Sequence, residues 1–206
     1  MNSETHNRSS VSDLLPLKQV VLDGFIKCAR AVLESSSFEK TARIIFDTCR
    51  ELTGATSGYV ALVNDAGTEN EVLFLESGGL ACTVDPNLPM PIRGLRAEAY
   101  RSRRAVYHND FMHSEWTAFM PRGHVVLHNV LFAPLVLEGE AVGLIGVANK
   151  EGGFTDQDAA VVGTLAEIAA IALRNSRVVE LLKNSGDRFR ALTENTTDVT
   201  AIISRE

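Results

Sequence analysis

The chain has 206 residues, a net charge of −6 and a 45% hydrophobic fraction, so it holds one ordinary domain with additional helix, or one domain and a fragment of another. The acidic balance argues against nucleic acid or an anionic membrane surface as partner, and no run approaches the roughly 20 consecutive apolar residues of a membrane span. The start lacks the basic-then-apolar order of a signal peptide, and three cysteines, an odd count, make no disulfide framework, so a reducing, cytoplasmic setting is expected.

Residues 1–13 are polar and are expected to form a disordered leader. From 14 to 33 apolar residues recur at helical spacing, at Leu17, Val20, Val21, Phe25, Cys28, Ala29 and Val32. Serines 35–37 break this helix. Ser36 and Glu39 are spaced as a capping box for a second helix, which carries Phe38, Ala42, Ile45, Phe46, Cys49 and Leu52 inward and ends at Gly54. The period then changes to that of strands at 59–63 and 71–75, joined by a turn at 64–67. An irregular excursion follows, with Gly78, Gly79 and prolines at 86, 89 and 91. It contains a short helix at 93–103, a short strand at 105–108 and a helical turn near 114–119.

The runs 130–137 and 141–148 are the strongest strands. Glu138-Gly139-Glu140 between them has the content of a tight hairpin turn, and their nearly continuous apolarity predicts central strands covered on both faces. Thr155 caps a last long helix with Asp158 three residues on. Its apolar face holds Val162, Leu165, Ile168, Ala169, Ala172 and Leu173, and its end is expected near Lys183. The order of elements predicts an α+β fold, with an antiparallel sheet, helices from both chain ends packed on one face, and the excursion on the other.

Residues 129–149, with Pro134, Leu135, Gly139, Gly143 and Gly146, resemble the central hairpin of a GAF domain, the PAS-related sensor module of signalling proteins. The segment 94–110 is similar to the family's helix-then-strand element, and 149–159 (NKEGGFTDQDA) resembles its closing signature, matched at Asn149, Lys150, Phe154 and Asp158. The resemblance implies a structural brace in which Lys150 and Asp158 form a salt bridge. Ala159 stands where the family often has Glu, a departure from the cyclic-nucleotide-binding subgroup. The GAF-like unit is assigned to 14–183 and a linker to 184–187. Residues 188–206 are similar to the opening of a PAS domain, too short to bury a core of their own.

Candidate chemistry lies upstream of the signature. Cys82 lies in the loop where some members of the family place a reactive cysteine; a second reading makes it a covalent anchor for haem or a bilin, although the Cys-His pair typical of bilin-binding members is absent. The family's methionine sulfoxide reductases need a second thiol nearby, and Cys28 and Cys49 fall on core-facing helix positions. His108, His113, His124 and His128 are ordinary loop histidines or, in a second reading, supply one axial haem ligand or one ligand donor. Phe111, Met112, Trp116, Phe119 and Met120 form a lid. Ligand-lining positions are expected at Cys82, Met90, Tyr107, Trp116, His124 and Phe132, and no metal site is expected. Arg93, Arg96, Arg101, Arg103 and Arg104 make a solvated basic helix face or, in a minority reading, a site for a phosphate-bearing ligand.

The resemblance implies a non-catalytic, small-molecule-sensing domain of a multidomain signalling protein of the histidine-kinase type, with PAS and output domains beyond it. No cofactor is required. A homodimer through the terminal helices is expected, with no nucleic-acid or membrane contact. The alternatives are a haem or redox sensor using Cys82 or a loop histidine, and a GAF-fold methionine sulfoxide reductase.

Overall fold

The computed structural model describes residues 6–85 and 87–194. In chain order these form α1 (His6–Glu34), α2 (Phe38–Thr53), β1 (Ala55–Val63), β2 (Asn70–Glu76), α3 (Leu95–Ser102), β3 (Val106–His108), β4 (Val130–Leu137), β5 (Glu140–Lys150) and α4 (Asp156–Glu194), with 3-10 turns at Phe111–His113 and Glu115–Phe119 between β3 and β4. The strands form one antiparallel sheet in the order β2-β1-β5-β4-β3. The two most apolar strands thus sit inside the sheet, as their composition predicts. Glu138 and Gly139 both have positive φ, 51° and 83°, the backbone of a two-residue turn whose twist matches that of the strands it joins.

Side-chain alternation splits the sheet into two faces. On one, Val60, Leu131, Ala133, Leu135, Ile145 and Val147 meet Ile45 and Phe46 of α2 and Val162, Leu165, Ala166 and Ala169 of α4. The small side chains of α4 let that helix approach the strands closely, and a fully buried leucine such as Leu165 contributes roughly 1.5–3 kcal/mol by its removal from water. On the other face, Val130, Phe132, Leu144 and Ala148 meet Leu95 and Ala99 of α3 and Phe111. The fold is α+β, with terminal helices on one face and the excursion on the other.

Several boundaries differ from expectation; β1, for one, begins at Ala55 rather than at 59. The cap of α2 is Ser37, whose side chain accepts from Lys40 N, rather than Ser36. Helix α1 begins at His6, so residues 6–13 of the expected leader are helical; residues 1–5 lie outside the described residues. Helix α4 continues through the expected linker at 184–187 to Glu194. Gly186 there costs about 1 kcal/mol relative to alanine, too little to stop a helix that holds no proline. The rest of the PAS-like segment, 195–206, lies outside the described residues.

At 39 residues, α4 is roughly 60 Å long. By length and composition it meets the requirement for a membrane span, with a mean hydropathy of 1.2 over its most apolar window. Core packing accounts for part of that content, since Val162, Leu165, Ala166, Ala169, Ala170, Ala172 and Leu173 are buried against the sheet and α2, while Ile171, Val178, Val179, Leu181 and Leu182 are exposed.

Candidate functional site

On the excursion side of the sheet, Tyr59, Gly146 and Phe132 stand side by side on β1, β5 and β4. Gly146 leaves the space into which the two rings lean, with centroids 6.3 Å apart. A Cβ there would lie 2.8 Å from Tyr59 Cε1 and 3.0 Å from Phe132 Cδ1, so the position takes no side chain without displacing a ring. Helix α3 covers this row with Leu95 and Ala99. Tyr100, one turn beyond Arg96, donates its hydroxyl proton to Asn70 Oδ1, and Asn70 in turn donates from its backbone and side-chain nitrogens to Met90 O at 2.9 and 3.4 Å.

The Tyr59 hydroxyl is buried and makes no well-formed hydrogen bond. Burial pushes its pKa up, and the nearby Arg96 guanidinium pulls it partly back. Tyr100 is raised by burial as well, then by Tyr59, with Arg96 again opposing. Tyr59, Asn70, Arg96 and Tyr100 therefore form one polar island within an apolar layer. Beside it, an open groove of about 550 Å³ runs past Ile92, Ala97, Tyr100, Arg101 and Arg103 toward the β4–β5 turn.

A second polar cluster ties this layer to α4. Lys150 Nζ donates to Asp158 Oδ2 at 2.6 Å. Asp158 Oδ2 also accepts from Thr155 N and Thr155 Oγ1, both at 2.7 Å, while Thr155 Oγ1 accepts from Asp158 N at 3.3 Å. This is a reciprocal cap with aspartate in the acidic position. Burial opposes charge on Asp158, but Lys150 and the two Thr155 donors outweigh it and hold the carboxyl below its ordinary value.

Three asparagines complete the junction. Asn149, at φ 58°, accepts from His128 N at 2.8 Å and donates to Val126 O at 3.0 Å. Asn129 brackets Lys150, donating to its oxygen at 2.8 Å and accepting from its nitrogen at 2.9 Å. Asn109, just after β3, does the same to Phe154 at 2.9 and 2.7 Å. Asn109 and Asn129 were not singled out from the sequence, since each is an ordinary polar residue beside a strand until its cross-chain partner is known.

A GAF domain family model matches residues 35–174, which is most of the chain. The chain belongs to the GAF domain family. No curated protein matches the sequence. Among solved structures, the GAF domain from a phosphoenolpyruvate-protein phosphotransferase of Coxiella burnetii matches with TM-score 0.66 at 16% identity, covering 79% of this chain and 98% of that one. The free methionine-R-sulfoxide reductase from Neisseria meningitidis, solved with its substrate, gives 0.62 at 19% identity, with 79% and 91% covered. A fragment of a methyl-accepting chemotaxis protein gives 0.59 at 16%, with 74% and 98% covered. At such identities the likeness is one of fold.

Within this GAF fold the ligand-lining positions expected from the sequence do not all converge. Phe132 and Trp116 share the excursion-side apolar cluster, where Trp116 stacks on Phe111 and meets His108 edge-on. Met90 reaches the polar island through its carbonyl oxygen. Cys82 is exposed; its loop joins that of His124 through Thr83 N donating to Gly123 O at 3.0 Å. Tyr107 does not belong with them. It packs against the helix-side core and donates to Asp156 Oδ1 at 2.9 Å, because its neighbours in β3, Val106 and His108, take the other face.

The arginine run is divided too: Arg93 lies over the Phe119 ring and donates to Phe119 O, Arg96 is near enough to Tyr59 to oppose the rise in its pKa, and Arg103 pairs with Glu140 at 3.1 Å. Cys28 and Cys49 are buried in the helix-side core, across the sheet from the excursion that carries Cys82. Among the described residues no three His, Cys, Asp or Glu side chains gather as a metal site.

Proposed function

We propose that this chain is a non-catalytic, small-molecule-sensing GAF domain of a cytoplasmic multidomain signalling protein, a histidine kinase or similar, and that it relays ligand state through its terminal helices. The observation that carries the reading is the asparagine junction. One side chain, Asn149, holds the loop at 126–128, and the next residue, Lys150, is ion-paired to the first turn of α4. A ligand that favours one arrangement of the excursion thereby biases the start of a helix roughly 60 Å long, as a shift in population between two states. The phosphotransferase and chemotaxis proteins that share the fold support a regulatory role.

The same helices form the dimer seam. Leu22, Ile26, Ala29 and Leu33 of α1 and Ile171, Val178 and Leu182 of α4 are exposed at three-, four- or seven-residue spacing, the pattern of a helical seam.

Hydrogen exchange tests the relay. In Asn149→Ala, amides at 121–129 and at 156–165 are expected to lose protection together; loss confined to the loop would refute the coupling. Leu182→Glu combined with Leu33→Glu is expected to yield a monomer by light scattering, and an unchanged mass would count against the seam.

A further inference from the structure

We propose that the groove between α3 and the turn end of the sheet binds a small organic monoanion, a carboxylate carried on an apolar body, with Arg101 holding the carboxylate. This rests on the sensing role and names the class of molecule sensed. The groove, about 550 Å³ in volume, is lined from separate parts of the chain: Val63 at the end of β1, Ile92 before α3, Ala97 and Tyr100 on α3, and Ala141 at the start of β5. These residues are half-buried, whereas Arg101, Arg103 and Glu140 of the same groove are exposed. Apolar surface therefore lies in its depth and charge at its mouth.

The charges at the mouth do not balance. Arg103 and Glu140 meet at 3.1 Å and neutralise one another. Arg103 caps α3 at φ 56°, a left-handed backbone for which glycine is the usual residue, and the side chain kept there reaches from α3 to the start of β5. Arg101 is left over. Among the described residues it enters no ion pair, not even with Glu98 one turn back on the same helix.

A guanidinium offers five N–H donors and accepts nothing, and its planar fork fits a carboxylate through two parallel hydrogen bonds. One uncompensated positive charge matches one negative charge on the ligand. A second anionic group would find no free cation in the groove, since Arg103 already has Glu140. The Tyr100 hydroxyl gives its proton to Asn70 Oδ1, so it adds no donor for further polar groups. The rest of the molecule meets Val63, Ile92, Ala97 and Ala141, which reward an apolar body by taking it out of water.

Amide NMR shifts during titration with sodium benzoate, at constant ionic strength and pH 7, test the site. Benzoate, an apolar ring with one carboxylate, is expected to shift amides at 63, 67, 92, 97–103 and 140–141 saturably, with a Kd on the order of 1 mM. Arg101→Gln should weaken binding about tenfold, and Ala97→Phe, which fills the apolar depth, should abolish it. Benzylamine, of similar shape and opposite charge, and inorganic phosphate, which has no apolar body, should leave these amides unmoved. Saturable shifts with either of those probes, none with benzoate, or an undiminished affinity in Arg101→Gln overturns the proposal. Should Ala97→Phe fail to fold by circular dichroism, Arg101→Gln at the exposed mouth decides alone. The hydrogen-exchange test of Asn149→Ala uses no ligand, so the relay and the groove can fail independently.

Discussion

The two faces of the sheet are built to different standards. On the helix side, long elements bring continuous apolar surface together, and the buried polar groups are mostly threonines that return their protons to carbonyls of their own or the adjoining helix: Thr41 to Ala31 O and Ser37 O, Thr48 to Ile44 O, Thr53 to Cys49 O. On the excursion side, an eight-residue helix and two 3-10 turns cover aromatic rings and the Tyr59–Arg96–Tyr100 island. A layer with few buried apolar contacts and an unmatched polar group opens more readily than a closed one. The contrast teaches a difference in closure: one face satisfies its buried polar groups internally, and the other leaves the Tyr59 hydroxyl unmatched.

The sharpest way to break this contrast is to make equal cavities on the two sides. Leu165→Ala, in the helix-side core, is expected to cost about 3–5 kcal/mol of global stability in urea unfolding. Leu95→Ala, on the excursion side, should fall nearer about 2 kcal/mol, because short elements collapse more easily around a cavity. Equal losses would erase the distinction.

The junction between the faces should show the next largest effect. Asp158→Asn removes a charge held by Lys150 and Thr155 and is expected to cost about 1–3 kcal/mol at pH 7. Because the folded state depresses the Asp158 pKa, the stability this group adds is present above the ordinary carboxylate value of about 4 and is lost as pH falls through the folded value. The gap between wild type and variant in urea titrations should therefore narrow from pH 7 to pH 3; a constant gap would mean that the charge contributes nothing.

The difference between the faces also explains what was legible in the sequence. Val162, Leu165, Ala169, Ala172 and Leu173 were placed correctly, because helical period and burial carry the same information over a long helix. So were β4 and β5, whose continuous apolarity has one structural solution in a covered sheet. The excursion resisted. Tyr107 was set beside Trp116 and Phe132, and a three-residue strand gives too little alternation to settle its face. Tyr59 reads only as part of a strand, and nothing local marks a tyrosine whose hydroxyl is buried without a well-formed hydrogen bond. The helix end expected near Lys183 is overrun, with α4 reaching Glu194, for another reason: polar, glycine-containing text resembles a break until the helix entering it is seen to be long enough to carry it.

The smallest expected effect sharpens the comparison most finely. Arg93 touches the excursion only from outside, over the Phe119 ring with its guanidinium carbon 5.4 Å from the centroid and with a 3.2 Å hydrogen bond to Phe119 O. An exposed cation–π contact is worth about 0.5–1 kcal/mol, so Arg93→Ala should barely move the urea midpoint. If the excursion opens as a unit separate from the helix-side core, the same substitution should still speed hydrogen exchange at 111–120 several-fold, since about 1 kcal/mol then acts on the local opening. Faster exchange shared equally with α4 would mean that the layers open together, and the domain would then have one cooperative core in place of a fixed face and a responsive one.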